Sequence, residues 1–231
     1  MSAAGKPRLA LFDLDHTLLA GDSDQLWCEF LLGLGVLDGA AFAERNMAME
    51  REYRAGTVSA GAFAAFYIST LAGRSGQEWQ GTREAFHREV IAPRLSAAAR
   101  QLVRERLADC ALVVLTTATN RFLTELTARE LGIEHLLATE CEVGADGRFT
   151  GRPKGAPNMR EGKVVRLREW LAARGATLAD YESLAYSDSI NDLALLEVAD
   201  RAHAVHPDAR LAAIAAARAW PVLKLHEGDA A

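Results

Sequence analysis

Leu9-Ala10-Leu11-Phe12-Asp13-Leu14-Asp15-His16-Thr17 puts two carboxylates and a hydroxyl at the end of a short apolar run. The run predicts a buried strand over residues 9–14 that delivers Asp13 and Asp15 at its carboxyl end. Carboxylates placed there cost desolvation energy unless a cation or protons compensate them. Asp15 and Thr17 alone would suit a turn or a helix cap. Asp13 does not fit that reading, because it follows four apolar residues within the strand.

After the strand the texture changes. Between residues 22 and 91 long amphipathic stretches, such as 25–34 and 60–71, read as helices broken at Gly35, Gly39, Gly56 and the 73–76 segment. No strand is expected in this block. Pro93 and Ser96 mark a return to alternation, with strands over 111–116, 136–142, 184–187, 201–205 and 221–225. Helices are expected between them over 98–107, 121–131, 163–174, 190–199 and 208–217, and a hairpin turning at Asp146-Gly147. This pattern specifies an α/β fold, a doubly wound parallel sheet covered on both faces. Residues 1–20 and 92–231 would form that core, and 21–91 a helical cap inserted after the first strand. Ligands of such sheets bind beyond the carboxyl ends of the strands, so chemistry is expected there.

Three further strings fall near such ends. Val113-Val114-Leu115-Thr116-Thr117-Ala118-Thr119-Asn120 offers a hydroxyl and main-chain N–H groups to an anion where strand meets helix. Lys163 starts a helix after the loop at 155–162 and carries meaning only in company. Tyr186-Ser187-Asp188-Ser189-Ile190-Asn191-Asp192 crowds two acids and an amide into a turn, which suits an oxygen-ligated hard cation such as magnesium.

Composition narrows the field. The 231 residues are 50% hydrophobic and 25% charged, enough for a core without disulfides or a structural metal. A net charge of −5 argues against a nucleic-acid partner, and the basic cluster at 100–106 is interrupted by acids and reads as a solvated helix face. Cys28, Cys110 and Cys141 are scattered and read as buried small hydrophobes rather than metal ligands. No run of eighteen apolar residues and no leader-like start occur, so a cytoplasmic protein is expected, with no membrane contact. The histidines, among them His16, His203 and His206, read as non-ligands. Oligomeric state does not follow from the sequence.

The order DxDxT, hydroxyl strand end, lysine and SDSxND resembles the haloacid dehalogenase superfamily, from about Leu9 to about Leu223. More narrowly the chain is similar to subfamily IB, the phosphoserine-phosphatase-like group with a helical cap after the first motif. The resemblance implies a phosphatase acting on a small phosphorylated metabolite. In it Asp13 is the nucleophile that forms an aspartyl-phosphate, and Asp15 is the general acid and base. Mg²⁺ would be held by Asp13, the Asp15 carbonyl and Asp188, with Asp192 orienting its waters. Thr117, with the Ala118 N–H beside it, would bind a phosphoryl oxygen, and the adjacent Thr116 leaves that register open by one residue. Lys163 would screen the phosphoryl group, and Asn191 would lie close to it.

Substrate choice rests on the cap. Asp22 stands where phosphoserine phosphatases carry a glutamate for the substrate ammonium, and with Asp24 it would bind an amine. Capping of the following helix is the competing reading. Ala65 falls where those enzymes carry an arginine for the substrate carboxylate, and Arg45, Arg51 and Arg54 do not align with it. Ser187-Asp188-Ser189 likewise replaces their usual Gly-Asp-Gly. Bacterial members with a similar Asp-Ser-Asp first loop are regarded as histidinol-phosphate phosphatases, whose substrate has an amine and no carboxylate. An amino-alcohol phosphate such as histidinol phosphate is therefore the expected substrate, with phosphoserine as the alternative. A phospho-accepting signalling module, a binding protein that has lost catalysis and a phosphotransferase are the rival readings.

Overall fold

Alternation along the first strand decides how the layers form. In the computed structural model, which describes residues 5–37 and 39–226 apart from the Arg54 side chain, β1 (Arg8–Phe12) sends successive side chains to opposite faces. Ala10 and Phe12 enter one core with Leu14, Val113 and Leu115. Leu9 and Leu11 enter the other with Val114, Val164, Leu167 and Leu211.

Four helices follow β1: α1 (Ser23–Gly33), α2 (Gly39–Ala55), α3 (Ala60–Ile68) and α4 (Gly76–Phe86). Then come α5 (Ala97–Asp109), β2 (Leu112–Asn120), α6 (Arg121–Glu130), β3 (His135–Val143), β4 (Phe149–Lys154) and α7 (Glu161–Ala172). β5 (Glu182–Ser187), α8 (Leu193–Val198), β6 (Arg201–Val205), α9 (Ala209–Ala217) and β7 (Val222–Leu223) complete the order. The strands lie in one seven-stranded sheet, β4-β3-β2-β1-β5-β6-β7, parallel except for the β3–β4 hairpin. Strand order reverses at β1, between β2 and β5, and that reversal opens a crevice at the strands' carboxyl ends. Among the described residues no helix is long and apolar enough to cross a membrane.

The helical stretch between β1 and α5 holds no strand among its described residues. Its packing is divided. Trp27 and Leu31 of α1 and Trp79 and Phe86 of α4 join the same buried cluster as the sheet residues Phe12 and Leu115. Phe63, Phe66 and Tyr67 of α3 instead pack with Cys28, Val58 and Met159 in a separate cluster over the crevice.

Several local expectations need correction. The helix expected over 60–71 ends at Ile68 and tightens into a 3-10 turn over Ser69–Leu71. The helix expected over 190–199 starts as a 3-10 turn, Ile190–Asp192, which the Ser189 hydroxyl caps by accepting from the Asn191 N–H. Gly35 and Gly39 do fall at the interruption between α1 and α2, with Gly39 the first residue of the second helix. Cys110, the residue that caps α5, and Cys141, on the β3 arm of the hairpin, are only half-buried.

The correction with most consequence concerns β2, expected to stop at Thr116 but running to Asn120. Pairing to β3 is Thr116↔Leu137 before the interruption and Asn120↔Thr139 after it, so β2 bulges across Thr117–Thr119. Asn158, fully buried, fills the gap. Its amide nitrogen lies 3.0 Å from Thr116 Oγ1, 3.0 Å from the Thr117 carbonyl and 2.9 Å from the Leu137 carbonyl. Asn158→Leu keeps the volume but strips the donors from two buried carbonyls, at about 1–3 kcal/mol for each unsatisfied group. Urea unfolding should show a loss of at least about 1 kcal/mol; an unchanged midpoint would mean that the bulge holds without this side chain.

Candidate active site

Asp13 follows β1 directly, and its N–H continues the ladder by donating to the Tyr186 carbonyl at 3.0 Å. The residue is 6% exposed. Lys163 Nζ donates to one oxygen at 2.7 Å, and the Thr17 hydroxyl lies 3.0 Å from the other. Lys163 comes from the first turn of α7 and is 2% exposed, with Nζ also 2.6 Å from Asp192 Oδ2. Ser187 Oγ donates to that same Asp192 oxygen at 2.8 Å. Thr17 Oγ1 accepts from the Asp188 N–H at 3.0 Å and lies 3.2 Å from Asp188 Oδ1. A hydroxyl has one hydrogen, so Thr17 serves one of the two carboxylates at a time.

Asp15 is held from the far side of the crevice. Its Oδ1 accepts from the Ser23 N–H at 2.7 Å. Its Oδ2 accepts from Thr119 Oγ1 at 2.9 Å and Thr117 Oγ1 at 3.3 Å. Thr117 and Thr119 are both in the β2 bulge. Thr116 points elsewhere, towards the Asn158 amide. Asp22 and Asp24 open α1 and are both buried. Asp22 accepts from the Gln25 N–H at 2.9 Å, the geometry of a helix cap. Asp24 accepts from Asn120 Nδ2 at 3.3 Å.

The remaining expected residues lie at the rim. The Ala118 carbonyl accepts from Thr139 Oγ1 at 2.6 Å. Asn191 reaches towards the helical stretch: Nδ2 donates to the Tyr53 carbonyl at 3.2 Å, and Oδ1 accepts from Arg160 Nε at 3.1 Å. Arg45 lies over the Phe66 ring, Ala65 is half-buried in α3, and the Arg54 side chain falls outside the described residues. His203 stacks on Tyr186 at 4.5 Å, and His206 stacks on His226 at 3.8 Å. Sequence reading quoted Thr17, Thr119 and Ser187 without giving them a part in the site. The one available signal was Thr117 and Thr119 two residues apart, hence on one face of a strand.

A family model for haloacid dehalogenase-like hydrolases matches residues 10–197. The chain belongs to that family. A histidinol-phosphatase of Neisseria meningitidis serogroup C (strain 8013) is 38% identical over 216 residues, covering 93% of this chain and 97% of the relative. A phosphoserine phosphatase of Mycobacterium tuberculosis (strain ATCC 25618 / H37Rv) is 32% identical over 221 residues, covering 92% of this chain and 69% of its own length. The crystal structure of a protein of unknown function from Bordetella pertussis Tohama I is 46% identical with a TM-score of 0.90, covering 96% of this chain and all of that one. A phosphoserine phosphatase structure carrying a phospho-aspartyl intermediate analogue is 18% identical, covering 97% of this chain and 96% of its own, and shares the fold with a TM-score of 0.70. The family match runs through the helical stretch as well as the sheet, which removes the ground for a receiver-like signalling module.

The charges of this hydrolase site do not balance. Lys163 is the one cation hydrogen-bonded to Asp13 and Asp192, and Asp188 lies beside them with no cation of its own among the described contacts. Burial pushes the Asp13 carboxyl up to about 7; Lys163 pulls it down, while Asp192 and Asp15 add to the rise. Asp188 is raised well above the usual carboxylate range by burial, then by Asp13 and Asp192. Burial and then Asp15 lift Asp22 to about 8. Excess buried negative charge on oxygen donors is the environment a hard divalent cation takes. No cluster of three His, Cys, Asp or Glu side chains poised to hold a metal occurs among the described residues. The available donors are two side-chain carboxylates, Asp13 and Asp188, both within reach of the Thr17 hydroxyl. That set fits a hard cation that retains waters, and it does not fit zinc.

Thr17 carries the coupling between the two acids. Thr17→Val keeps the shape and removes the hydroxyl from Asp13 and Asp188, at about 1–3 kcal/mol for the groups left unpaired. In thermal melting this is a fall of roughly 2–4 °C per kcal/mol for a chain of this size. Thr17→Ser should restore most of the loss; equal melting of Val and wild type would mean that the hydroxyl holds nothing.

Proposed function

We propose that the chain is a phosphomonoesterase that hydrolyses a small phosphorylated amino alcohol through an aspartyl-phosphate on Asp13. The observation that carries this reading is the buried Asp13 carboxylate, bonded to Lys163 at 2.7 Å and joined to Asp188 through Thr17.

In the first step an Asp13 oxygen attacks phosphorus and the ester P–O bond breaks. Asp15, turned towards the leaving group by the Ser23 N–H and the Thr119 hydroxyl, gives its proton to the departing alkoxide. In the second step Asp15 takes a proton from water, whose oxygen attacks phosphorus. The bond to Asp13 breaks and inorganic phosphate leaves. Lys163 holds Asp13 in place and opposes the phosphoryl charge, while the Thr117 hydroxyl and the Ala118 N–H supply donors to phosphoryl oxygens. Asp192 and Ser187 keep the Lys163 ammonium in position. Asp13, Asp188 and the Asp15 carbonyl would hold Mg²⁺, which neutralises the repulsion between carboxylate and phosphoryl oxygens when bound. Asn191, bonded to the Tyr53 carbonyl, is positioned to tie α2 to the phosphoryl side of the crevice.

An amino-alcohol substrate is supported by the two buried acids at the start of α1 and by Ala65, which offers nothing to a substrate carboxylate. The histidinol-phosphatase relative, similar over nearly its whole length, points the same way. The phosphoserine phosphatase relative keeps phosphoserine as the competing substrate.

One experiment tests the reading: turnover of L-histidinol phosphate, L-phosphoserine and p-nitrophenyl phosphate with and without Mg²⁺, with Asp13→Asn as the control. Mg²⁺-dependent release of phosphate is expected, fastest from L-histidinol phosphate. Asp13→Asn should fall by more than about 10⁴-fold, the scale seen when a covalent nucleophile is removed. Retained activity in that variant would refute the nucleophile, and faster phosphoserine turnover would reverse the substrate assignment. Added alcohols that divert phosphate into new esters would make the enzyme a phosphotransferase.

A further inference from the structure

β7 lies three strands away from β1 in the sheet, yet the chain that follows it comes back to the loop that follows β1. His226 Nε2 is 3.1 Å from the carbonyl of His16, the residue between Asp15 and Thr17. A carbonyl only accepts, so Nε2 carries the hydrogen and donates it. The His226 ring is aligned by His206. The two rings stack at 3.8 Å, and His206 Nε2 accepts from the Leu225 N–H at 2.7 Å and the His226 N–H at 3.1 Å. Ser96 Oγ, which caps α5, donates to the Leu225 carbonyl, and the His206 N–H donates to the Leu223 carbonyl at 3.1 Å. Residues 223–226 are thus fixed along their main chain before His226 reaches the loop.

His16 needs such support. Its φ of +56° is in the left-handed region, which a residue other than glycine enters under strain and keeps only where its surroundings over-determine it. Its N–H donates to the Gly21 carbonyl at 3.0 Å and its carbonyl accepts from His226, so the residue is tied on both sides. Asp13 does not depend on this arrangement. It continues the β1 ladder by donating to the Tyr186 carbonyl, and Lys163 binds its carboxylate. Asp15 lies past that ladder, and its main chain is bridged to Leu19 of the same loop. A shift of the His16 peptide therefore displaces Asp15 before it displaces Asp13.

We propose that His226, aligned by His206, is a positioning residue for the general acid: by holding the His16 carbonyl it aims Asp15 at the leaving oxygen. Neither histidine touches the substrate. The inference rests on the phosphomonoesterase reading above and concerns its first step. It carries a chemical signature. An alkoxide leaving group needs the proton that Asp15 gives, whereas p-nitrophenolate is a stable anion and needs it far less. Loss of aim therefore falls selectively on alkyl phosphates. Damage to folding or to the Asp13–Lys163 pair would lower both classes alike.

The test measures kcat/KM with Mg²⁺ on p-nitrophenyl phosphate and on the alkyl phosphate that wild type turns over fastest among L-histidinol phosphate, L-phosphoserine and glycerol 2-phosphate. Melting temperatures confirm folding. His226→Phe keeps the stacked ring and removes the donor, His226→Gln keeps a side-chain N–H donor, and His206→Phe keeps the stack and removes the acceptor. Each Phe variant should lose at least about tenfold on the alkyl phosphate, part of the roughly 10²–10⁴-fold that a placed acid supplies, and less than about threefold on p-nitrophenyl phosphate. His226→Gln should recover most of the loss. Equal losses on both substrates, no loss from whichever Phe variant folds, or a Gln variant as impaired as Phe would overturn the inference and leave the phosphatase reading standing. Wild type active on p-nitrophenyl phosphate alone would likewise overturn the aimed acid. Wild type inert towards every ester would overturn the phosphatase reading, and this inference with it.

Discussion

A lysine ammonium with almost no solvent access lies between two carboxylates, 2.7 Å from Asp13 and 2.6 Å from Asp192. Removing one partner of such a buried group leaves an uncompensated charge, at about 3–5 kcal/mol. The geometry around it is correspondingly tight. Asp13 is delivered by β1, Asp192 by the turn after β5 and Lys163 by α7, so one ion pair locks three segments far apart in sequence. Because β1 and β5 are adjacent parallel strands with Phe12 opposite Tyr186, Asp13 leaves β1 one residue past that pair and Asp188 leaves β5 two residues past it.

The second constraint is the β2 bulge. An unbroken ladder would put only every second residue of Thr116–Thr119 towards the crevice. Thr117 and Thr119 are such a pair: their hydroxyls meet on one Asp15 oxygen, and Asn158 satisfies the carbonyls that the bulge parts. Asp15 and Asp13 end up differently provisioned. Asp15 has neutral donors around both oxygens, whereas Asp13 has a cation. Two nearby carboxylates with unlike environments are suited to unlike tasks, one to proton transfer and one to attack.

Much of this could be read from the sequence because it depends on local pattern. The apolar run before Asp13, the alternation of strands and helices and the acid-rich turn at Asp188–Asp192 are short-range signals, and each falls at the crevice. What escaped depends on contacts between distant segments. Thr17 looks like a turn residue until β5 brings Asp188 to it. Asn158 lies in an unremarkable loop, and its importance appears only once β2 and β3 part. The helical block was likewise legible as helices, but its division between the sheet's core and a separate aromatic cluster required the packing.

The central claim is that Asp13 itself becomes covalently bonded to phosphorus during turnover. Acid quenching during steady turnover of L-histidinol phosphate, followed by borohydride reduction and peptide mass mapping, reads this directly. Reduction of an acyl phosphate converts the aspartyl side chain to the corresponding alcohol, and the account predicts that change at Asp13 alone. An unmodified Asp13 peptide under conditions where phosphate is being released, or the change at Asp15 or Asp188 instead, would contradict it.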